Sequence, residues 1–202
     1  MTTYSMPATP NFTSAQFGMR SNTQTFVSPL TGKIQVVELT GSRWYGTFTL
    51  PPLSKADAGV WIAFLTKLRG QSHSFFVGDP ARKTPQGSVG GTPLVNGASQ
   101  TGNTLATDGW SASTLVLKAG DYITVAGTQN ALYMVTADAT TNGSGEVTLT
   151  IEPPIRVSPE NNAGITTTNP TCVMRLTGGD VTWNISTAEV FGISFSGEES
   201  LP

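Results

Sequence analysis

Apolar and polar positions alternate in short runs along most of this chain, and Gly, Pro, Asn and Ser punctuate the runs. The clearest stretch is Leu115 to Arg156. There Tyr122-Ile123-Thr124-Val125, Leu132-Tyr133-Met134-Val135 and Val147-Thr148-Leu149-Thr150-Ile151 are mostly β-branched or aromatic, and the last alternates apolar residues with Thr. Gly120-Asp121 precedes the first run, Gly127 to Asn130 separates the first two, and Asn142-Gly143-Ser144-Gly145 breaks the chain before the third. The spacing predicts a three-stranded meander, with Pro153-Pro154 ending its last strand because neither residue can donate to a ladder.

The N-terminal third follows the same period. Residues 1 to 10 hold two prolines and small polar residues, which predicts an extended arm outside the core that packs on a neighbour. Short strands are expected over Phe12 to Phe17 and Gln24 to Val27, then a turn at Ser28-Pro29-Leu30-Thr31-Gly32-Lys33. A strand Ile34 to Leu39 follows, with Ile34, Val36 and Glu38 on one face and Gln35, Val37 and Leu39 on the other. Arg43 to Leu50 is the next strand, its aromatics set to cover a sheet, and Pro51-Pro52 ends it.

The period then changes to helical. Ser54 is an N-cap with Asp57 three residues on, and Ala58, Trp61, Ile62, Leu65 and Leu68 fall on one stripe that Phe64 widens. Lys67 and Arg69 suit the negative helix end and Gly70 the C′ position, so one helix is expected over about 54–69, lying on a sheet. Strand character resumes at Ser72 to Val77 and stops at the turn Gly78-Asp79-Pro80.

Two seams divide what remains. From Arg82 to Gly109 the chain is mostly Gly, Thr, Ser, Asn and Pro, with Leu94-Val95 and Leu105 as the only marks of short strands; the second seam runs from Ser158 to Pro170. Three short strands are expected beyond it, in Cys172 to Leu176, Val181 to Ile185 and Glu189 to Phe195. A segment of that size cannot bury a core alone, so it should pair with the N-terminal sheet. The expected fold is therefore mainly β: a discontinuous β-sandwich-like body, residues 1–82 plus 172–202, carrying the one helix, with a small β-barrel or sandwich module, residues 83–171, inserted.

Composition narrows the function. Charged residues make up only 12% of the 202, about half the usual share, and the formal net charge of -2 offers no electrostatic footprint for nucleic acid or anionic lipid. The N-terminus lacks the pattern of a signal peptide and no apolar run is long enough to span a bilayer, so the expectation is a protein made and used without secretion or membrane insertion. Cys172 is the only cysteine and His73 the only histidine, about a hundred positions apart, which speaks against a thiol or serine nucleophile with a histidine base and leaves Cys172 as a small buried hydrophobe. His73 has no nearby company as a metal ligand, and Asp79 is a turn former beside Arg82 and Lys83, with an intersubunit ion pair as its alternative use. Gly90-Gly91 lies in no GxxxxGK[ST] pattern. The run Asp138 to Gly143 lacks the ligand spacing and closing Glu of a calcium loop, and a hairpin turn explains it better. Asp121 and Glu146 are the carboxylates that a glycosidase reading would need, but both adjoin turn glycines where solvated charges are ordinary. No catalytic, cofactor or metal residue is assigned, and no enzyme is expected.

With the phrases SHSFFVGDP, DGWSASTLVLKAGDYITV, GSGEVTLTIEPPIR and VTWNISTAEVFGISFSGEE in this order, the chain over nearly its full length resembles the distal tail proteins, the tail-tip and baseplate family of long-tailed bacteriophages. The resemblance implies a belt domain that assembles head to tail into a ring, commonly a hexamer, with an outward β module. It implies a virion protein, made in the host cytoplasm, that joins the tail tube to the hub and the fibre or receptor-binding proteins. Catalytic residues do not carry over. Within that picture the arm near Tyr4 and the strand edge Ile34 to Leu39 are the expected contact points between copies. A second class stays open: Trp110, Tyr122 and Tyr133 as a carbohydrate-binding platform on a phage fibre or cell-surface protein, against the ordinary use of such rings in filling a small β core.

Overall fold

The computed structural model describes residues 1–127 and 130–201. Thr128 and Gln129, in the expected turn between the first two meander strands, lie outside the described residues. In chain order the strands begin with β1 (Thr3–Ser5), β2 (Ser14–Arg20), β3 (Thr23–Val27), β4 (Ile34–Glu38) and β5 (Arg43–Thr49). After α1 (Lys55–Lys67), the one helix among the described residues, come β6 (Ser74–Val77), β7 (Gly91–Val95), β8 (Gly102–Trp110), β9 (Leu115–Leu117), β10 (Tyr122–Val125), β11 (Ala131–Val135), β12 (Ala139–Thr140) and β13 (Val147–Ile155). The chain ends with β14 (Ile165–Thr166), β15 (Cys172–Leu176), β16 (Trp183–Ile185) and β17 (Phe191–Glu199).

The first sheet draws on both ends of the chain, in the order β1-β6-β15-β17-β5-β2, with β16 paired to β17. Only the β1–β6 pair is parallel. Strand β5 shows how local pattern becomes packing: Trp44, Gly46 and Phe48 are buried while Arg43, Tyr45 and Thr47 alternate toward solvent. Helix α1 lays Ala58, Trp61, Phe64, Leu65 and Leu68 on this sheet, where Trp61 meets Phe195 at 5.9 Å and Phe64 meets Phe75 edge-on at 6.2 Å. At about 1.5–3 kcal/mol for each large side chain, that stripe contributes on the order of 10 kcal/mol to docking the helix. Ser54 caps the helix, accepting from the Asp57 amide at 3.3 Å and donating to Asp57 Oδ2 at 2.7 Å. The helix leaves through Arg69, at φ 51°, one residue before the expected Gly70.

The second sheet, β14-β10-β11-β13-β8-β7, contains the predicted meander β10-β11-β13. Its two end strands meet, through a bridge between Leu94 and Gly164 and bonds from Val95 N to Ala163 O and from Asn162 N to Val95 O, both 2.9 Å. The sheet therefore curls into a nearly closed barrel around Leu105, Ile123, Val135, Leu149 and Ile151. The pair β9–β12 lies beside it, with Val116 and Leu117 fully buried. Strands β10 and β11 are covered on both sides: Ile123, Val125 and Tyr133 point into the barrel, whereas Tyr122 and Leu132 join the core of the first sheet.

Several expectations change. Residues 1 to 10 are not a free arm, since β1 pairs with β6 and Tyr4 and Met6 pack on the core; the backbone of β6 had an open edge, and the arm fills it. The stretch expected as the first seam holds β7 and the nine-residue β8, because its Thr residues are good strand formers and Leu105, Thr107 and Trp110 turn inward. The second seam holds β14. Strand β17 runs on to Glu199, four residues past its expected end at Phe195. Pro153-Pro154 does not end β13: the ladder to β8 shifts register between Thr150 and Ile155, so no bond is asked of either proline.

The crossing between the sheets is narrow. The chain leaves the first sheet at Val77 and returns at Cys172, and these two residues are paired in register. At Gly78 an added Cβ would stand 2.0 Å from the Pro170 carbonyl oxygen, so only glycine allows the outgoing and returning strands to lie side by side.

Candidate assembly surface

Strands β3 and β4 form a hairpin that pairs with nothing else among the described residues. Its register, from Thr23↔Glu38 to Val27↔Ile34, puts Thr25, Val27, Ile34 and Val36 on one face and Gln24, Phe26, Gln35 and Val37 on the other. All ten strand residues are exposed. The apex is the predicted turn, closed by Ser28 N to Lys33 O and Gly32 N to Ser28 O at 2.9 Å each, with Gly32 at φ 65° and Leu30 94% exposed. Neither face of the hairpin therefore rests on the body of the chain.

Phe26, Val27, Leu30, Ile34, Val36, Val37 and Leu39 are all between 43% and 94% exposed, and they are spread over both faces of the hairpin. A two-stranded hairpin in water is marginal at best, and apolar side chains exposed on both of its faces are what a covering partner would bury. The base, in contrast, is firmly held. Leu39 N donates to Asn22 O at 2.8 Å, Asn22 Nδ2 to Thr40 O at 2.7 Å, and Asn22 N to Ser42 Oγ at 3.3 Å.

That base is tied to the barrel. Arg156, just past β13, donates to Ser42 O and to both carboxylate oxygens of Glu199 at the end of β17, and Glu199 Oε2 also accepts from Trp44 N at 3.0 Å. Trp44 Nε1 in turn donates to Leu132 O at 2.8 Å. The pair is nearly dry, with side-chain exposures of 12% for Arg156 and 4% for Glu199. The hairpin is thus mounted on a joint where both sheets meet.

The residues weighed for chemistry have structural duties. Asp121 is not the solvated turn charge expected: it is 3% exposed and its carboxylate accepts from the amides of Lys118, Gln86 and Gly87 at 2.8 to 3.4 Å, binding the segment before β7 to the barrel. Glu146 is exposed and accepts from Asn142 Nδ2 at 2.9 Å, and the two carboxylates share no partner. Asn142 Oδ1 accepts from the amides of Ser144 and Glu146 as a turn residue does, but Asp138 accepts from Ala119 N across the fold and Ala139–Thr140 is strand β12, so the run from Asp138 to Gly143 is not one hairpin turn. Among the described residues no group of three His, Cys, Asp or Glu is placed to hold a metal ion. Asp79 Oδ1 caps its own turn by accepting from Ala81 N at 2.9 Å, while Arg82 reaches Gly120 O.

Cys172 is fully buried, donates to Val77 O at 3.4 Å, and is held as a thiol because burial pushes its pKa well above the usual value. His73 stacks edge-on against Tyr4 at 5.6 Å. Tyr4 itself carries Lys67 Nζ over its ring at 4.1 Å, so it is engaged within its own chain. Trp110, Tyr122 and Tyr133 are 5%, 6% and 3% exposed. They fill cores, and Trp110 Nε1 is satisfied by Thr107 Oγ1 at 2.8 Å.

Ile34 to Leu39 is the contact edge expected from the sequence and Gln24 to Val27 an expected strand, but the part Phe26 and Val27 of β3 play in the same uncovered surface was not foreseen. The signal was there: seven apolar residues between Phe26 and Leu39, on both phases of the alternation, are more than a hairpin with one solvated face needs. Among the described residues no helix is long and apolar enough to cross a membrane. Against known proteins, the chain matches no family model, and no curated protein matches it.

Proposed function

We propose that this protein is a structural subunit that assembles with copies of itself into a ring at the tail tip of a long-tailed bacteriophage, joining the tail tube to the hub and the fibre or receptor-binding proteins. The observation that carries self-assembly is the β3–β4 hairpin, apolar on both faces and supported only at its base. A heterologous contact between one copy's hairpin and a different surface of the next closes into a ring when the rotation permits. The tail-tip setting rests on the sequence resemblance and on architecture of the implied kind: a sheet built from both chain ends, one helix, and a barrel formed by the residues between. A sugar platform on Trp110, Tyr122 and Tyr133 has no exposed ring to offer.

Light scattering coupled to size exclusion, followed by negative-stain microscopy, tests the proposal on the full chain. The expected result is a closed ring of about six subunits. A monomer that persists at high micromolar concentration overturns it.

A further inference from the structure

The chain carries an apolar recess as well as an apolar finger. A groove of about 670 Å³ runs between the N-terminal segment and the end of β6, with Met6, Pro10, Phe12, Phe76 and Pro80 among its apolar walls and Asp79 and Lys83 among its polar ones. A second hollow of about 390 Å³ adjoins it, sharing Phe12 and Pro80 and extending to Ala15 and Phe17 along β2. Grooves of this size with largely apolar walls and a few polar groups are ordinary receptors for one or a few inserted side chains.

Finger and groove sit at opposite ends of the same strand. The groove lies at the Ser14 end of β2, where Thr13 N bonds Thr49 O, and the hairpin departs from the Arg20 end, where Arg20 pairs with Arg43. Seven strand residues at ~3.3 Å each separate the two by about 20 Å. The hairpin does not reach back, since every residue of β3 and β4 is exposed. A chain that holds both halves of an apolar contact but cannot join them within itself satisfies both by joining copies head to tail.

Resting on the self-assembly proposed above, we infer that the groove bounded by Phe12, Phe76 and Pro80 receives the hairpin tip of a second copy, with Leu30 as the leading side chain and Phe26 and Ile34 behind it. The contact is heterologous: tip to groove, never tip to tip.

Single-cysteine variants test this, because the native Cys172 is fully buried and leaves an introduced thiol as the accessible one. Leu30→Cys and Ala81→Cys, both at exposed positions, are mixed and treated with a short bis-maleimide. The expected result is a cross-linked dimer in the mixture and in neither variant alone, and a ladder of products from the double variant. Leu30→Cys cross-linking efficiently to itself overturns the assignment in favour of a two-fold contact. Oligomers seen by light scattering without the mixed cross-link overturn the groove while leaving self-assembly intact, and a monomer overturns both. Leu30→Asp supplies the second measurement: at a position 94% exposed it should leave the melting of the isolated chain unchanged and weaken association at least tenfold.

Discussion

Glu199→Ala is expected to be among the most damaging single substitutions in this chain, although Glu199 sits next to the C-terminal end of the described residues. Its carboxylate accepts from both terminal nitrogens of Arg156 and from the Trp44 amide, in a site where the Arg156 side chain is only 12% exposed. Removing it leaves a nearly buried guanidinium with the Ser42 carbonyl as its remaining partner and an orphaned backbone N–H. Breaking one side of a buried pair costs about 3–5 kcal/mol, a figure that already contains much of the orphaned-donor penalty. For a chain of this size each kcal/mol lowers Tm by about 2–4 °C, so a fall of roughly 6–20 °C should appear in calorimetry at neutral pH. The neighbouring Glu198 is the control: its contacts with Arg20 and Arg43, at 4.0 and 3.7 Å, are solvated, and Glu198→Ala should cost less than about 1 kcal/mol. Replacing both partners, Arg156→Met with Glu199→Leu, should recover a good part of the loss, because no charge is then stranded. A Glu199→Ala protein that melts within about 2 °C of the parent, or no lower than Glu198→Ala, would refute the reasoning.

Alkaline stability should fall in a defined window. Burial pushes Tyr122 up to about 12 and raises Tyr133 and Cys172 too, so the unfolded chain gives up these protons first; stability is full below about pH 8.5 and declines as pH rises through 10 toward 12. Tyr122→Phe should flatten the upper part of that decline, read by urea melts at pH 8 and 11. Gly78→Ala should lower Tm by more than about 5 °C or abolish soluble expression, because its Cβ would meet the Pro170 carbonyl at 2.0 Å and force the two crossing strands apart. Ser54→Ala should cost about 1 kcal/mol, a Tm decrease of about 2–4 °C by circular dichroism, through loss of the helix cap on Asp57 N.

Elements with a clean period were legible in the sequence. The alternation in Val147 to Ile151, the stripe from Ala58 to Leu68 and the Ser54 cap depend on neighbours a few residues away, and the structure has each of them. Strand β8 was hidden because its inward positions are filled partly by Thr107, a polar residue satisfied by Val147 O. Strand β1 was hidden for another reason. Thr3–Ser5 has no pattern of its own and is a strand only because β6 offers an open edge. The role of Asp121 was equally invisible, since beside a glycine its burial depends on Gln86 and Gly87 arriving from 35 residues upstream.

By itself the sequence determined that the protein is mainly β with one amphipathic helix, and that its two end segments need each other to complete a sheet. These follow from local period, turn chemistry and composition, which act over a few residues. Only the tertiary structure decided that the middle strands close into a barrel, that Trp110, Tyr122 and Tyr133 are spent on cores, and that residues 23–38 are left uncovered on both faces. Apolar alternation states which residues want a partner surface. Whether the partner lies in the same chain depends on contacts between distant segments, and among the described residues no such segment covers the β3–β4 hairpin.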